Sequence, residues 1–203
     1  MKIICIGRNY AAHIQELNSA TPSEPVFFLK PDTALLLRNR PFYYPTFSNE
    51  IHHEVELVLK VCKLGKNIQP HFAHTYYDEI TLGLDLTARD LQDNAKKKGL
   101  PWTLSKGFDQ SAPLGKFLPI TNFPDTGNIN FHLDVNGKTV QSGNSGLMLF
   151  SFNAILSSIS QFMTLRTGDL IFTGTPAGVG PIAIGDKMEA YLEGEKVLSC
   201  LVK

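Results

Sequence analysis

The sequence predicts an α+β fold in which strands dominate, as a single domain over residues 1–203. Three observations carry this reading. Apolar residues alternate with polar ones in several short runs. Asn-Gly and Glu-Gly pairs punctuate the second half. The few helical stretches do not follow strands in βαβ order, which excludes a doubly wound nucleotide-binding sheet. A chain of 203 residues that is 43% hydrophobic can bury a sizeable core.

"MKIICIG" opens as a strand, and "RNYAAHIQEL" follows with helical character before the turn-rich "NSATPSEP". "VFFLKP" is a short buried strand, and residues 38–50 read as irregular. "HHEVELVLKVCK" is one long strand, "HFAHTYYDEI" suggests a helix, and "TLGLDLTA" is an apolar strand. "RDLQDNAKKKG" is a polar helix with a Gly stop and basic residues in its last turn, where the helix dipole favours them. "INFHLDVNGKTVQSG" forms a hairpin about Asn136-Gly137. The twenty residues "GLMLFSFNAILSSISQFMTL" have helical spacing and read as a core helix. "DLIFTGTPAGVG" runs from a strand into a Gly-rich loop, and "DKMEAYLEGEKVLSCLVK" closes the chain as a hairpin turning near Glu193-Gly194.

Lys plus Arg is 19 and Asp plus Glu is 19, so the chain lacks the basic excess of a nucleic-acid binder. Cys5, Cys62 and Cys200 are scattered through apolar runs, which predicts buried free thiols in a reducing cytoplasm. No run approaches the ~18 apolar residues of a membrane span, and no signal peptide opens the chain. The expectation is a cytoplasmic protein with neither a nucleic-acid nor a membrane partner.

Glu54 and Glu56 raise the chemical question. On a strand, residues two apart share a face, so two like charges project side by side. One reading is a solvated, exposed face. The other is a divalent cation between the carboxylates. Asp85, inside the apolar "TLGLDLTA", favours the second, because a lone buried carboxylate needs a partner. Three carboxylates without clustered cysteines suit Mg²⁺ or Mn²⁺, with Ca²⁺ also compatible. His52 shares the parity of Glu54 and is a candidate fourth ligand, or a neighbour that only packs. His13 and Glu16, three apart, share a helix face. They read either as surface polar residues or as a base whose tautomer a carboxylate fixes.

The wider sequence resembles the fumarylacetoacetate hydrolase family, in particular its short acylpyruvase and oxaloacetate decarboxylase branch. The resemblance runs nearly end to end, through "GRNYAAH", "FFLKP", "HHEVEL", "DLTARDLQ", "KKGLPWTLSKGFDQSAPLG", "VNGKTVQSGN" and "GDLIFTGTPAGVGP". It implies mixed β-sheets rolled into a sandwich-like or barrel-like core, assembled as a homodimer. It implies that Glu54, Glu56 and Asp85 bind a catalytic Mg²⁺ or Mn²⁺, that His13 and Glu16 activate water, and that Lys106 lies near the metal. Thr175 is a substrate contact by family position, with Gln141 a second candidate. Arg8, Asn9 and Tyr10 begin the His13 segment and are candidates to orient a substrate carboxylate. Lys30 is either structural or a substrate contact, and Asp109 is a candidate brace for Lys106. The "TGTPAGVGP" loop lacks the P-loop Lys and suits close approach of backbone to a small ligand.

The reaction implied is metal-dependent hydrolysis of the C–C bond of acylpyruvates, with decarboxylation of oxaloacetate as a companion activity. Both proceed through an enolate of the 2-oxo acid. The alternatives are an isomerase or decarboxylase of 2-oxo diacids from aromatic degradation, and a noncatalytic binder of metal and 2-oxo acid. The segment from Arg8 to Ser23 is expected to act as a mobile lid.

Overall fold

The computed structural model describes residues 1–18 and 20–203. Ser19, inside the expected loop and lid, lies outside the described residues.

A six-stranded sheet organises the chain. Its order is Val26–Lys30, Ile3–Gly7, Leu170–Phe172, Val55–Val61, Tyr77–Leu84 and Leu118–Pro119. Only Ile3–Gly7 and Leu170–Phe172 run parallel; the other neighbours are antiparallel. Alternation sorts the central strand between two apolar clusters. Val55, Leu57, Leu59 and Val61 join the larger one, with Phe131, Leu133 and Met188 of the second sheet and Ile155, Leu156 and Ile159 of the helix Phe152–Phe162. Val58 points the other way, into a smaller cluster with Ile3, Cys5 and Phe172.

The second sheet has the order Lys138–Asn144, Asn130–Val135, Lys187–Leu192, Glu195–Leu201. Both expected hairpins are present. Asn136 and Gly137 have φ of 54° and 76°, and Glu193 and Gly194 have 46° and 82°. Successive left-handed residues are what a type I′ turn needs to match strand twist. Among the described residues no sheet closes into a barrel. The fold is mostly β, as expected.

Three local expectations are corrected. Pro70–Tyr76 is a run of 3₁₀ turns, and Tyr77 already begins a strand, because its ring packs in the core against Phe152. The core helix is shorter than its apolar run: Ser151 caps it through its hydroxyl, so it spans Phe152–Phe162. The long strand divides at Glu54. Ile51–His53 pairs with Thr87–Ala88 and Gly180–Pro181 in a three-stranded sheet, while Val55–Val61 belongs to the six-stranded one. Cys5 and Cys200 are buried free thiols, whereas Cys62 is half-exposed.

Candidate active site

The division at Glu54 builds the site. Val55 faces Leu84 and His52 faces Thr87, so the register carries through and sets Glu54 opposite Asp85. Asp85 N–H donates to the Glu54 carbonyl at 2.8 Å. Both chains therefore change sheets at the same place. Residues opposite each other, and residues two apart, share a sheet face. Glu54, Glu56 and Asp85 converge there, buried, with one carboxylate oxygen from each lying within 4.8 Å of the others.

Three cations surround them. Arg89, at the start of the helix Arg89–Lys98, gives Nη2 to Glu54 Oε1 at 2.6 Å, and its Nη1 bonds Gln92. Lys106, ending the short helix Thr103–Lys106, donates to Glu54 Oε2 at 2.8 Å, Asp85 Oδ2 at 2.7 Å and Thr87 Oγ1 at 2.6 Å. Lys30, ending the edge strand, lies 2.8 Å from Asp85 Oδ1 and also bonds Ser111 and three backbone carbonyls. Burial would raise the Glu54 carboxyl, but Lys106 and Arg89 outweigh it and hold it below the usual carboxylate range.

Glu56 differs. It accepts one hydrogen bond, from Gly174 N–H at 2.7 Å, and among the described residues it has no ion pair. Burial first, then the charges of Asp85 and Glu54, push its carboxyl well above the usual range. A buried carboxylate without a cation, flanked by two others, is the signature of a missing positive charge. The all-oxygen donor set fits a hard divalent ion such as Mg²⁺ or Mn²⁺.

These carboxylates open into a cavity whose other walls include Arg8, His13, Phe28, Gln92, Trp102, Lys106 and Thr175. His13 is buried on the helix Ala11–Glu16, with Nδ1 3.0 Å from Glu16 Oε2. A carboxylate accepts, so Nδ1 is the donor of this bond, and Nε2 is the ring nitrogen left to act as a base. Glu16 Oε1 accepts from Gly178 N–H at 3.0 Å, which ties the helix to the Gly-rich loop. Arg8 holds a left-handed backbone at φ 62°, a strained choice for a residue with a side chain, and forms no ion pair among the described residues.

Several expected contacts fall elsewhere. His52 turns to Glu50, Nε2 to Oε1 at 2.9 Å, because the division at Glu54 places it in a different sheet; it is not in the carboxylate group. Asn9 uses its amide on the backbone of Phe150 and Thr173 and does not line the cavity. Tyr10 packs in the core with its hydroxyl buried and unpartnered, and burial, then the nearby Glu56, raises its pKa. Gln141 braces the Gly-rich loop: it accepts from Val55 N–H and bonds His53, and it donates to Thr175 Oγ1 and the Pro176 carbonyl. Asp109 is exposed, and Lys106 engages other partners. Thr175 is on the wall, although its hydroxyl donates to the Val55 carbonyl at 2.9 Å.

Arg89, Gln92 and the His53 bond to Gln141 were not singled out from sequence. Arg89 follows Asp85 by four residues across a strand-to-helix change, a spacing with no fixed face of its own. The sequence carries no local signal for it, because burial of a guanidinium in a polar helix shows only in the structure.

A family model described as fumarylacetoacetate (FAA) hydrolase C-terminal matches residues 2–202. Oxaloacetate tautomerase FAHD1, mitochondrial, of Bos taurus is 46% identical over 192 residues, covering 95% of this chain and 87% of that protein. Oxaloacetate decarboxylase, mitochondrial, of Dictyostelium discoideum is 44% identical over 194 residues, covering 95% and 89%. The crystal structure of fumarylpyruvate hydrolase from Pseudomonas aeruginosa in complex with Mn²⁺ and pyruvate superposes with a TM-score of 0.93 at 35% identity, covering 100% of this chain and 89% of that one. With a family match spanning almost every residue and relatives at this identity, the chain belongs to the fumarylacetoacetate hydrolase family.

Proposed function

We propose that the chain is a metal-dependent enzyme of small 2-oxo acids, acting at C3 of oxaloacetate or a close analogue. It interconverts the keto and enol forms and promotes loss of CO₂ from the keto form, both steps placing charge on the 2-oxygen. One observation carries the reading: a histidine locked into one tautomer by Glu16 shares a cavity with three carboxylates, one of which lacks a cation. The tautomerase and decarboxylase relatives supply the choice of substrate.

When bound at Glu54, Glu56 and Asp85, a Mg²⁺ or Mn²⁺ ion supplies Lewis-acid polarisation of the 2-keto oxygen. The rest is the work of side chains. Arg8 offers an unpaired guanidinium to a substrate carboxylate. His13 Nε2 takes the C3 proton of the keto form, and the imidazolium, steadied by Glu16, returns it to the 2-oxygen to give the enol. The reverse transfer protonates C3. In decarboxylation the C3–C4 bond of the keto form breaks, its electron pair passes to C3 and the 2-oxygen as an enolate, CO₂ leaves, and a proton from solvent, relayed by His13, is added at C3. Trp102 and Phe28, edge to face at 5.9 Å, keep the wall apolar and limit entry of bulk water.

A second reading, hydrolysis of acylpyruvates, is favoured by the likeness to the fumarylpyruvate hydrolase structure. There His13 takes a proton from water, whose oxygen bonds to C4; the C3–C4 bond then breaks with its electron pair going to C3, the acid leaves, and the imidazolium returns the proton to C3. The test follows the enol's ultraviolet absorbance in Mn²⁺ for wild type and His13→Ala, beside acetylpyruvate hydrolysis. Tautomerisation should fall about 10²–10⁴-fold in the variant, the scale for loss of a general base. An unchanged rate sinks the assignment, and a kcat/KM for acetylpyruvate above that for oxaloacetate selects the second reading.

A further inference from the structure

We propose that Lys106 is an internal counter-cation which an incoming divalent ion partly displaces, so that its ammonium becomes available to substrate only after the ion is in place. The inference rests on the metal-dependent reading above.

An ammonium has three protons to donate. Those of Lys106 go to Glu54 Oε2, Asp85 Oδ2 and Thr87 Oγ1, all at 2.6–2.8 Å. Although Lys106 lines the cavity, no proton remains for a ligand. Its grip is on the carboxylates themselves: it touches two of the three groups that would hold the ion. The remaining oxygen of Glu54 is held by Arg89, whereas that of Asp85 lies 2.8 Å from Lys30 Nζ as an ion pair and accepts no hydrogen bond among the described residues.

Charge decides what happens next. Glu54, Glu56 and Asp85 oppose Lys30, Arg89 and Lys106, so even with all three carboxylates ionised, as holding an ion requires, they only balance the three cations already there. A divalent ion makes the cluster doubly positive and sets two positive charges against each neighbouring cation. One of these cations has to yield, and their anchoring differs. Arg89 is forked between Glu54 and Gln92. Lys30 is encased, with the Leu86, Lys106 and Ser111 carbonyls and the Ser111 hydroxyl all within 3.3 Å of its ammonium and competing for its three protons. Lys106 depends on the carboxylates for two of its three bonds, and its flexible stem lies beside the open cavity. It is the cation that gives way. Thr87 stays as its tether, and the released N–H turns toward the cavity. There it meets the carboxylate or enolate oxygen of a 2-oxo acid. Binding is thus ordered, ion first and substrate anion second, and the doubly positive site is neutralised by a dianion.

Two experiments test this. Calorimetric titration of the metal-stripped protein with Mn²⁺ compares wild type with Lys106→Met at a pH where carboxylates are ionised. A competing cation removed tightens the ion, by roughly tenfold or more, and at saturating Mn²⁺ the variant binds oxalate more weakly. Weaker Mn²⁺ binding in Lys106→Met would make Lys106 a brace for the ligands and overturn the inference. The second experiment needs no variant. Crystal structures of the wild type with and without Mn²⁺ should show Lys106 Nζ moving beyond about 3.5 Å, outside hydrogen-bond range, from Glu54 Oε2 or Asp85 Oδ2. Both bonds intact beside a bound ion overturns the displacement alone. Absence of Mn²⁺ from Glu54, Glu56 and Asp85 overturns the metal reading itself, and the inference with it.

Discussion

Arg89 and Lys106 hold opposite oxygens of Glu54, at 2.6 and 2.8 Å, in a buried site. Removing one member of a buried pair leaves the other uncompensated. Arg89→Met should therefore destabilise the fold by about 3–5 kcal/mol. Urea unfolding measures it. A loss well below 1 kcal/mol would mean that Lys106 alone satisfies Glu54.

Asp90, beside Arg89, ties the helix to the loop before Ile51–His53. Its Oδ1 accepts from the Ser48 hydroxyl at 2.7 Å and its Oδ2 from Asn49 N–H at 3.0 Å. Burial would raise its carboxyl, but these bonds and the Leu91 N–H lower it from the ordinary 3.8. A depressed folded pKa stabilises at pH values above the unfolded one, and that contribution is lost as pH falls through the folded value. Asp90→Asn should cost at most about 1 kcal/mol at pH 7, since water screens this partly exposed group. The difference should shrink below pH 3.8. Melting curves across pH decide; a constant difference would point to packing and not charge.

Glu56→Gln separates charge from shape. The Glu56 carboxyl is held well above the usual range, so without metal the amide replaces a group that already favours its neutral form. The metal-free melting temperature should barely move. Wild type should gain about 2.7 kcal/mol when Mn²⁺ is a hundredfold above its dissociation constant, and the variant none. Equal gains would place the ion elsewhere.

The expected lid has a structural latch in the Glu16 bond to Gly178 N–H at 3.0 Å. Hydrogen exchange over residues 10–18 should slow when Mn²⁺ and oxalate bind. Glu16→Gln weakens both the latch and the His13 pair, and should raise exchange there in the free protein. Identical rates with and without ligand would exclude a moving lid.

Much of the frame was legible because local chemistry announces it. Asn136-Gly137 and Glu193-Gly194 specify their turns wherever they sit, and alternation around Leu57 and Leu59 specifies a buried strand. Glu54, Glu56 and Asp85 stood out because acidic residues in apolar strands need a reason. His52 misled because period-two counting assumes an unbroken strand, and only tertiary pairing reveals the break at Glu54. Asn9 and Gln141 are polar residues in the right neighbourhood, yet their amides satisfy buried backbone; sequence shows polarity but not whom it serves. Arg89 was hidden for the opposite reason, since arginine in a polar helix usually faces water.

The crossing where Glu54 and Asp85 leave one sheet for another is the seam between two plates of the molecule. Glu54 and Asp85 mark that boundary, and Glu56 lies on one side of it. An ion held by all three is a rivet through the seam. On the metal-dependent reading, catalytic competence and mechanical integrity share one fastening. Conditions that strip the ion should loosen this joint before the distant hairpins, and a tight-binding inhibitor should act at the same time as a structural pin.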